Sequence, residues 1–233
     1  AKPYLHDAEQ HRVDFGNFNA LSDEIAHALV HALRTRLSDF DAVIINEQVA
    51  SGMHRSPTFQ RLLASLIADY PAMLFVLDSR HCSDRYPGTI RKLNDHEAAR
   101  LCGGTRDYDE PFRHDEACAM AETLGQRWGS PVFVTCGARG CLVYDAQRLH
   151  VVPGLRISGP TDPVGAGDSV VAGITAALAA GRDTLAAAML GNFVASVTVQ
   201  KLFQTGTASP EEILAIAENA DYVHPSSLSG DAG

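Results

Sequence analysis

The sequence predicts an α/β protein in which a mainly parallel sheet is covered on both faces by helices, a three-layer α/β/α architecture. Short apolar runs alternate with segments of helical periodicity, the order in which parallel strands are joined by crossover helices. At 233 residues, 45% apolar and 20% charged, the chain is long enough to bury one substantial core. No stretch has the composition of a linker, so residues 1–233 are expected to form one domain, with a frayed tail over 222–233.

Each element has a local reason. Residues 12–15 are a short strand candidate. Ser22 suits the cap of a helix through about 37, with Asp23 and Glu24 in its first turn, where acidic groups meet the positive end of the helix dipole. Residues 42–46 form an apolar run expected to be a buried strand, 58–69 a helix and 73–77 a further strand. Asn94 opens a helix to about 101, and 114–128 forms the next. The strands over 132–135 and 142–144 are too close for a crossover helix, so the second is expected to run antiparallel. Helices follow over 167–180 and 184–201, and Pro210 with Glu211 and Glu212 starts a last short one. The polar stretch 103–113 is expected to be a surface loop.

The most informative segment is Gly159-Pro160-Thr161-Asp162-Pro163-Val164-Gly165-Ala166-Gly167-Asp168-Ser169. Pro163 fixes its own φ and biases Asp162 toward extended backbone, after which the glycines can turn the chain sharply. Val170, Val171, Ile174 and Leu178 then share one helical face, and Gly173, Ala176 and Ala177 permit close packing, so a buried helix starts here. A helix start carries unpaired N–H groups and a partial positive charge, which suits phosphate. Asp168 is the odd member, because a carboxylate repels phosphate unless it has a task such as taking a proton from an attacking hydroxyl. The alternative is an ordinary acidic residue favoured in a first turn.

Several function classes are disfavoured. A formal charge of -9 without a Lys/Arg cluster argues against a nucleic-acid partner. No apolar run approaches the ~18 to 20 residues of a membrane span, and the first ten residues lack the apolar core of a signal peptide, so a cytoplasmic location without membrane association is expected. Five cysteines without a C-x-x-C pair point to reduced structural thiols. His96-Glu97-Ala98-Ala99-Arg100 lacks the second histidine of a zinc-protease helix, and no P-loop motif is present.

The segment from Asp162 to Asp168, with the small and apolar residues through Thr175, resembles the C-terminal signature of the ribokinase-like carbohydrate kinases. The resemblance implies that Gly165, Ala166 and Gly167, with the Asp168 backbone, form the anion hole, that the Asp168 carboxylate is the base, and that ATP and Mg²⁺ are used. Asn94 and Glu97 lie three apart on one helical face. The resemblance assigns them to Mg²⁺, held through water, and to the phosphates; a capping box is the alternative. In Thr135-Cys136-Gly137-Ala138-Arg139-Gly140 the family's pattern places Thr135, Gly137 and Gly140 beside the nucleotide phosphates and ribose, whereas a plain glycine hairpin accounts for the same residues. Asn192 matches the asparagine flanking the adenine pocket, the alternative being a structural amide. Asp162 and Val164 match positions where some relatives bind a monovalent cation, K⁺ being the candidate.

The family's N-terminal strands, its lid and most of its sugar contacts are expected to be missing from these residues. Arg12-Val13-Asp14 already resembles a strand midway through the heptose-phosphate kinase branch. A fragment, a split enzyme completed by a second chain, a homodimer and a variant without its acceptor half are the resulting expectations. Where that branch has Asp-Tyr-x-Lys-Gly, this chain has Glu47-Gln48-Val49-Ala50-Ser51-Gly52, and Asp78-Ser79-Arg80 resembles its Asp-Pro-Lys/Arg turn, with Arg80 available to an anion. The expected acceptor is a sugar or sugar phosphate. A nucleoside or vitamin-alcohol kinase and a non-catalytic nucleotide- or sugar-binding regulator are the alternatives.

Overall fold

The computed structural model describes residues 4–5, 8–9, 21–49, 51–104, 112–204 and 206–223. The strand candidate at 12–15, most of the polar loop and the tail from 224 lie outside the described residues. Strands β1 (Tyr4–Leu5) and β2 (Ala8–Glu9) form a short antiparallel pair. The main sheet has six strands in sequence order: β3 (Ala42–Glu47), β4 (Leu74–Ser79), β5 (Ile90–Asn94), β6 (Val132–Thr135), β7 (Gly140–Asp145) and β8 (Arg148–Pro153). The first four run parallel, and β7 and β8 are antiparallel additions.

Two features correct the sequence reading. Strand β3 is a half-exposed edge rather than a buried strand: Ile44 is 41% exposed, and no strand pairs with its outer side among the described residues. Strand β8 was not anticipated. Its hairpin turns through Ala146 and Gln147, both left-handed (φ 46° and 64°), without the Asn-Gly or Asp-Gly pair that normally announces such a turn.

Helices cover both faces. On one lie α1 (Asp23–Arg36) and α2 (Pro57–Asp69), whose Ala26, Leu63 and Leu66 bury against Ile45, Phe75 and Leu77. Helices α3 (Asp95–Leu101) and α4 (His114–Trp128) continue that layer over Leu93, Val132 and Val134. Opposite, α5 (Ala166–Ala179) and α6 (Thr184–Thr198) pack on Phe133 and Val143, and α7 (Pro210–Glu218) lies against α6. Capping explains where several helices start: Ser22, Ser56, Asp183 and Ser209 each accept from a backbone N–H three residues on, and Pro57 and Pro210 occupy first helical positions. At the α5–α6 crossing a Cβ on Gly173 would lie 2.9 Å from the Gly191 Cα, so the two helices touch backbone to backbone.

The register is what builds the site. Asn46 pairs with Asp78 and Asp78 with Lys92, so three polar residues from adjacent parallel strands share the face beneath α5. Such crevices at the carboxyl ends of parallel strands are the usual ligand sites of open α/β sheets.

Candidate active site

The turn into α5 sets the centre of the site. Gly165 adopts a left-handed conformation (φ 81°), which a side chain would strain, and it brings the first turn of α5 over the strand ends. The Ala166 N–H donates to Pro163 O at 3.1 Å and is thereby engaged. The N–H groups of Gly165, Gly167 and Asp168 donate to no acceptor among the described residues, and no side chain caps the helix. Three open donors at a positive helix end are what an anion requires.

Asp168 is exposed in that first turn, and its Oδ1 accepts from the Asn46 Nδ2 of β3 at 3.1 Å. Gly165, not Asp168, occupies the capping position, and the carboxylate reaches across to the sheet. Below it, Lys92 Nζ donates to Asp78 Oδ2 at 3.2 Å, with the two side chains 5% and 3% exposed. The same ammonium lies 3.1 Å from where a Cβ on Gly167 would stand. Burial pushes the Asp78 carboxyl above the usual range; Lys92 opposes that shift and the charge of Asp168 adds to it.

Asn94 and Glu97 form a capping box: Asn94 Oδ1 accepts from the Glu97 N–H at 2.8 Å, and Glu97 Oε2 accepts from the Asn94 N–H at 2.9 Å. Capping leaves the Asn94 amide nitrogen and Glu97 Oε1, the latter 3.8 Å from Arg80 Nε. Burial pushes the Glu97 carboxyl up, Lys92 and Arg80 oppose it, and Asp78 reinforces it. No group of three or more His, Cys, Asp or Glu residues is close enough to enclose a metal ion among the described residues. This donor set fits a Mg²⁺ ion that keeps most of its water.

A cleft of ≈ 510 Å³ runs from the turn after β6 to the start of α5, and Thr135, Gly137, Gly140, Ala166, Gly167 and Asn192 all line it. The structure therefore brings Thr135, Gly137, Gly140 and Asn192 to the anion site, while also giving Thr135, Gly140 and Asn192 a structural task; Asn94 does not line the cleft. Thr135 Oγ1 donates to Leu93 O at 3.2 Å. A Cβ on Gly140 would lie 2.2 Å from Val152 O, so this glycine admits the close passage of β8. Asn192 Nδ2 donates to Pro153 O at 3.2 Å, fastening α6 to β8. Asp162 closes the loop before α5, with Oδ1 accepting from the Val164 N–H at 3.0 Å and Oδ2 from the Phe203 N–H at 3.1 Å. Each carboxylate oxygen thus carries one hydrogen bond and keeps a further acceptor site.

Glu47 is a buried knot rather than an open acid: it accepts from Ser79 Oγ at 2.8 Å and from the His81 N–H at 2.7 Å. The residues that sequence reasoning missed are Asn46 and Lys92. A signal for Lys92 was present, since Arg91-Lys92 places two cations in the middle of a strand whose neighbours are apolar.

The profile of the pfkB family carbohydrate kinases matches residues 18–213. A bifunctional protein HldE of Gluconobacter oxydans is 30% identical over 206 residues, covering 87% of this chain and 41% of that protein. An inositol 3-kinase of Zea mays is 39% identical over 88 residues, covering 37% of this chain and 22% of that protein. The tetrameric inhibited form of phosphofructokinase-2 from Escherichia coli superimposes with a TM-score of 0.65 at 19% identity, covering 86% of this chain and 62% of that one. That likeness carries the fold, which is ribokinase-like as the sequence resemblance implied. The chain spans about two fifths of the length of the HldE protein it matches. None of the described helices is long and apolar enough to cross a membrane.

Proposed function

The chain belongs to the pfkB family of carbohydrate kinases, and from that premise we propose ATP-dependent phosphoryl transfer to a hydroxyl of a sugar or sugar phosphate. The observation that carries the reading is the exposed carboxylate of Asp168 set among open N–H donors at the start of α5. Phosphoryl transfer needs positioning and charge stabilisation, with a base only for the attacking hydroxyl. Asn46 holds Asp168 Oδ1, which leaves Oδ2 to accept the acceptor's proton. The N–H groups of Gly165, Gly167 and Asp168 face developing charge on the transferred group, at no reorganisation cost because the turn is already formed. The cleft between Gly137 and Asn192 takes the rest of the nucleotide. Mg²⁺, when bound, supplies charge neutralisation on the phosphates, and Asn94 and Glu97 hold it through water.

Incubating the complete protein with ATP, Mg²⁺ and a panel of sugars and sugar phosphates, with mass spectrometry of the products, tests the activity. Asp168→Asn is expected to lower turnover by about 10²- to 10⁴-fold while ATP affinity is kept. Unchanged turnover would sink the assignment of the base.

A further inference from the structure

We infer that the cavity between the turn after β4 and the start of α2 is a second anion site, built for a phosphate group, free or carried by a small molecule, and gripped by Arg55 and Arg85. It lies on the face of the sheet opposite the Asp168 site and does not depend on the kinase reading.

Three observations carry the inference. The first is the enclosure. A cavity of ≈ 190 Å³ is lined by, among others, Glu47, His54, Arg55, His81, Cys82 and Arg85. Pockets for drug-sized ligands begin at roughly 300 Å³, so this one suits a small ion or head group. Glu47 and Ser79 pair across β3 and β4 and point the opposite way from Asn46 and Asp78, toward the layer of α2, which separates the cavity from α5.

The second is unspent positive charge. The chain has 28 acidic and 19 basic residues, so carboxylates are in excess, yet neither the Arg55 nor the Arg85 side chain has a hydrogen bond or ion pair among the described residues. Asp84, the carboxylate next to Arg85, is turned to Trp128, whose Nε1 donates to it at 2.7 Å. Arg55 directly precedes Ser56, the cap of α2, so the positive end of that helix adds to the same field. Two guanidiniums around one small cavity offer the forked donors that phosphate accepts.

The third is the way the one acid in the cavity is engaged. Glu47 Oε2 accepts from Ser79 Oγ at 2.8 Å and from the His81 N–H at 2.7 Å, and Oε1 lies 3.1 Å from His81 Nδ1. The carboxylate thus orients the half-exposed His81 ring, whose Nε2 has no partner among the described residues and is a third donor when protonated. A metal cation, by contrast, would find Glu47 as the single carboxylate of the lining and two guanidiniums repelling it.

The test titrates phosphate into the wild-type chain at pH 7.5 and constant ionic strength. The His81 ring is followed by NMR, its signal identified by its loss in His81→Gln. A saturable shift with phosphate and none with chloride is expected, and Arg55→Ala/Arg85→Ala should weaken phosphate about tenfold or more. Both side chains are exposed, so the double variant should fold; if it does not, the single variants decide, each expected to weaken phosphate about threefold or more. An unmoved His81 signal, the same shift with chloride, or undiminished binding in the arginine variants overturns the inference. Glycerol 3-phosphate, titrated in the same way, separates the sources. Binding tighter than that of phosphate marks a phosphorylated small molecule as the ligand, weaker or equal binding marks the free ion, and either supports the site.

Discussion

Arg91 and Lys92 are consecutive residues of β5, both cationic and both buried, and they point to opposite faces of the sheet. Arg91 is saturated. Its Nε donates to Ser83 O at 2.8 Å, Nη1 to Thr89 O at 2.9 Å and Ser130 Oγ at 3.0 Å, and Nη2 to Tyr86 O at 2.9 Å. The guanidinium also stacks 4.4 Å from the Trp128 ring centroid. Among the described residues no carboxylate bonds it, and burial pulls its pKa down to about 10. Lys92 has the opposite environment, a single bond to a carboxylate and donors to spare beside a helix start. Neutral acceptors that engage all three guanidinium nitrogens make a cation part of the architecture. A counter-charge that fills only one donor keeps the cation available.

The largest effect that would sharpen this contrast is on stability. Arg91→Met removes the bonds that satisfy three buried carbonyls and the Ser130 hydroxyl, and it should cost about 3–5 kcal/mol in chemical denaturation. The folded fraction should keep the wild-type turnover. A variant of near wild-type stability would show that the Arg91 network is not structural. On the other face, Asn46→Ala should do the reverse. Asn46 is exposed and among the described residues its side chain bonds only Asp168, so its loss should lower turnover roughly tenfold by freeing the base. Stability should stay within about 0.5 kcal/mol. A shifted denaturation midpoint with unchanged turnover would place Asn46 with Arg91 rather than with Lys92.

The same contrast explains what the sequence could show. Local rules located α4 at residues 114–128, β6 at 132–135 and the caps at Ser22 and Asn94, because periodicity and capping are properties of neighbouring residues. Strand β8 escaped because Ala146 and Gln147 adopt left-handed conformations that their side chains do not advertise. Strand β3 was expected to be buried because an apolar run such as Ala-Val-Ile-Ile does not reveal whether a neighbouring strand covers it. In the site, the motif from Gly165 to Asp168 was visible, since its chemistry is contiguous in the chain. Asn46, Asp78 and Lys92 come together only through register across three strands, and nothing local distinguishes Lys92 from Arg91. Pairing between strands 14 to 32 residues apart decides which cation meets a carboxylate and which meets carbonyls.

The smallest effect, and the one that separates the faces most cleanly, is the response to acid. The Arg91 face continues through Tyr86, whose hydroxyl lies 2.7 Å from His54 Nδ1, and His54 packs edge-on to Phe59 and Tyr86. Burial pulls the His54 pKa below the ordinary imidazole value, with Glu47 opposing. Near and below about pH 6.5 the unfolded chain therefore binds a proton that the folded chain refuses, and stability is lost as pH falls. Asp78 has the opposite sign. Its carboxyl is raised by burial, so as pH falls toward the ordinary carboxylate range the folded chain takes up a proton before the unfolded one, and the burial penalty is relieved. Thermal denaturation between pH 7.5 and pH 5 resolves the two. His54→Gln should lose less stability on acidification than the wild type, and Asp78→Asn should lose more. Shifts of the same sign in both variants would mean that the two faces of β5 are not electrostatically distinct, and the division between an architectural cation and an available one would fail.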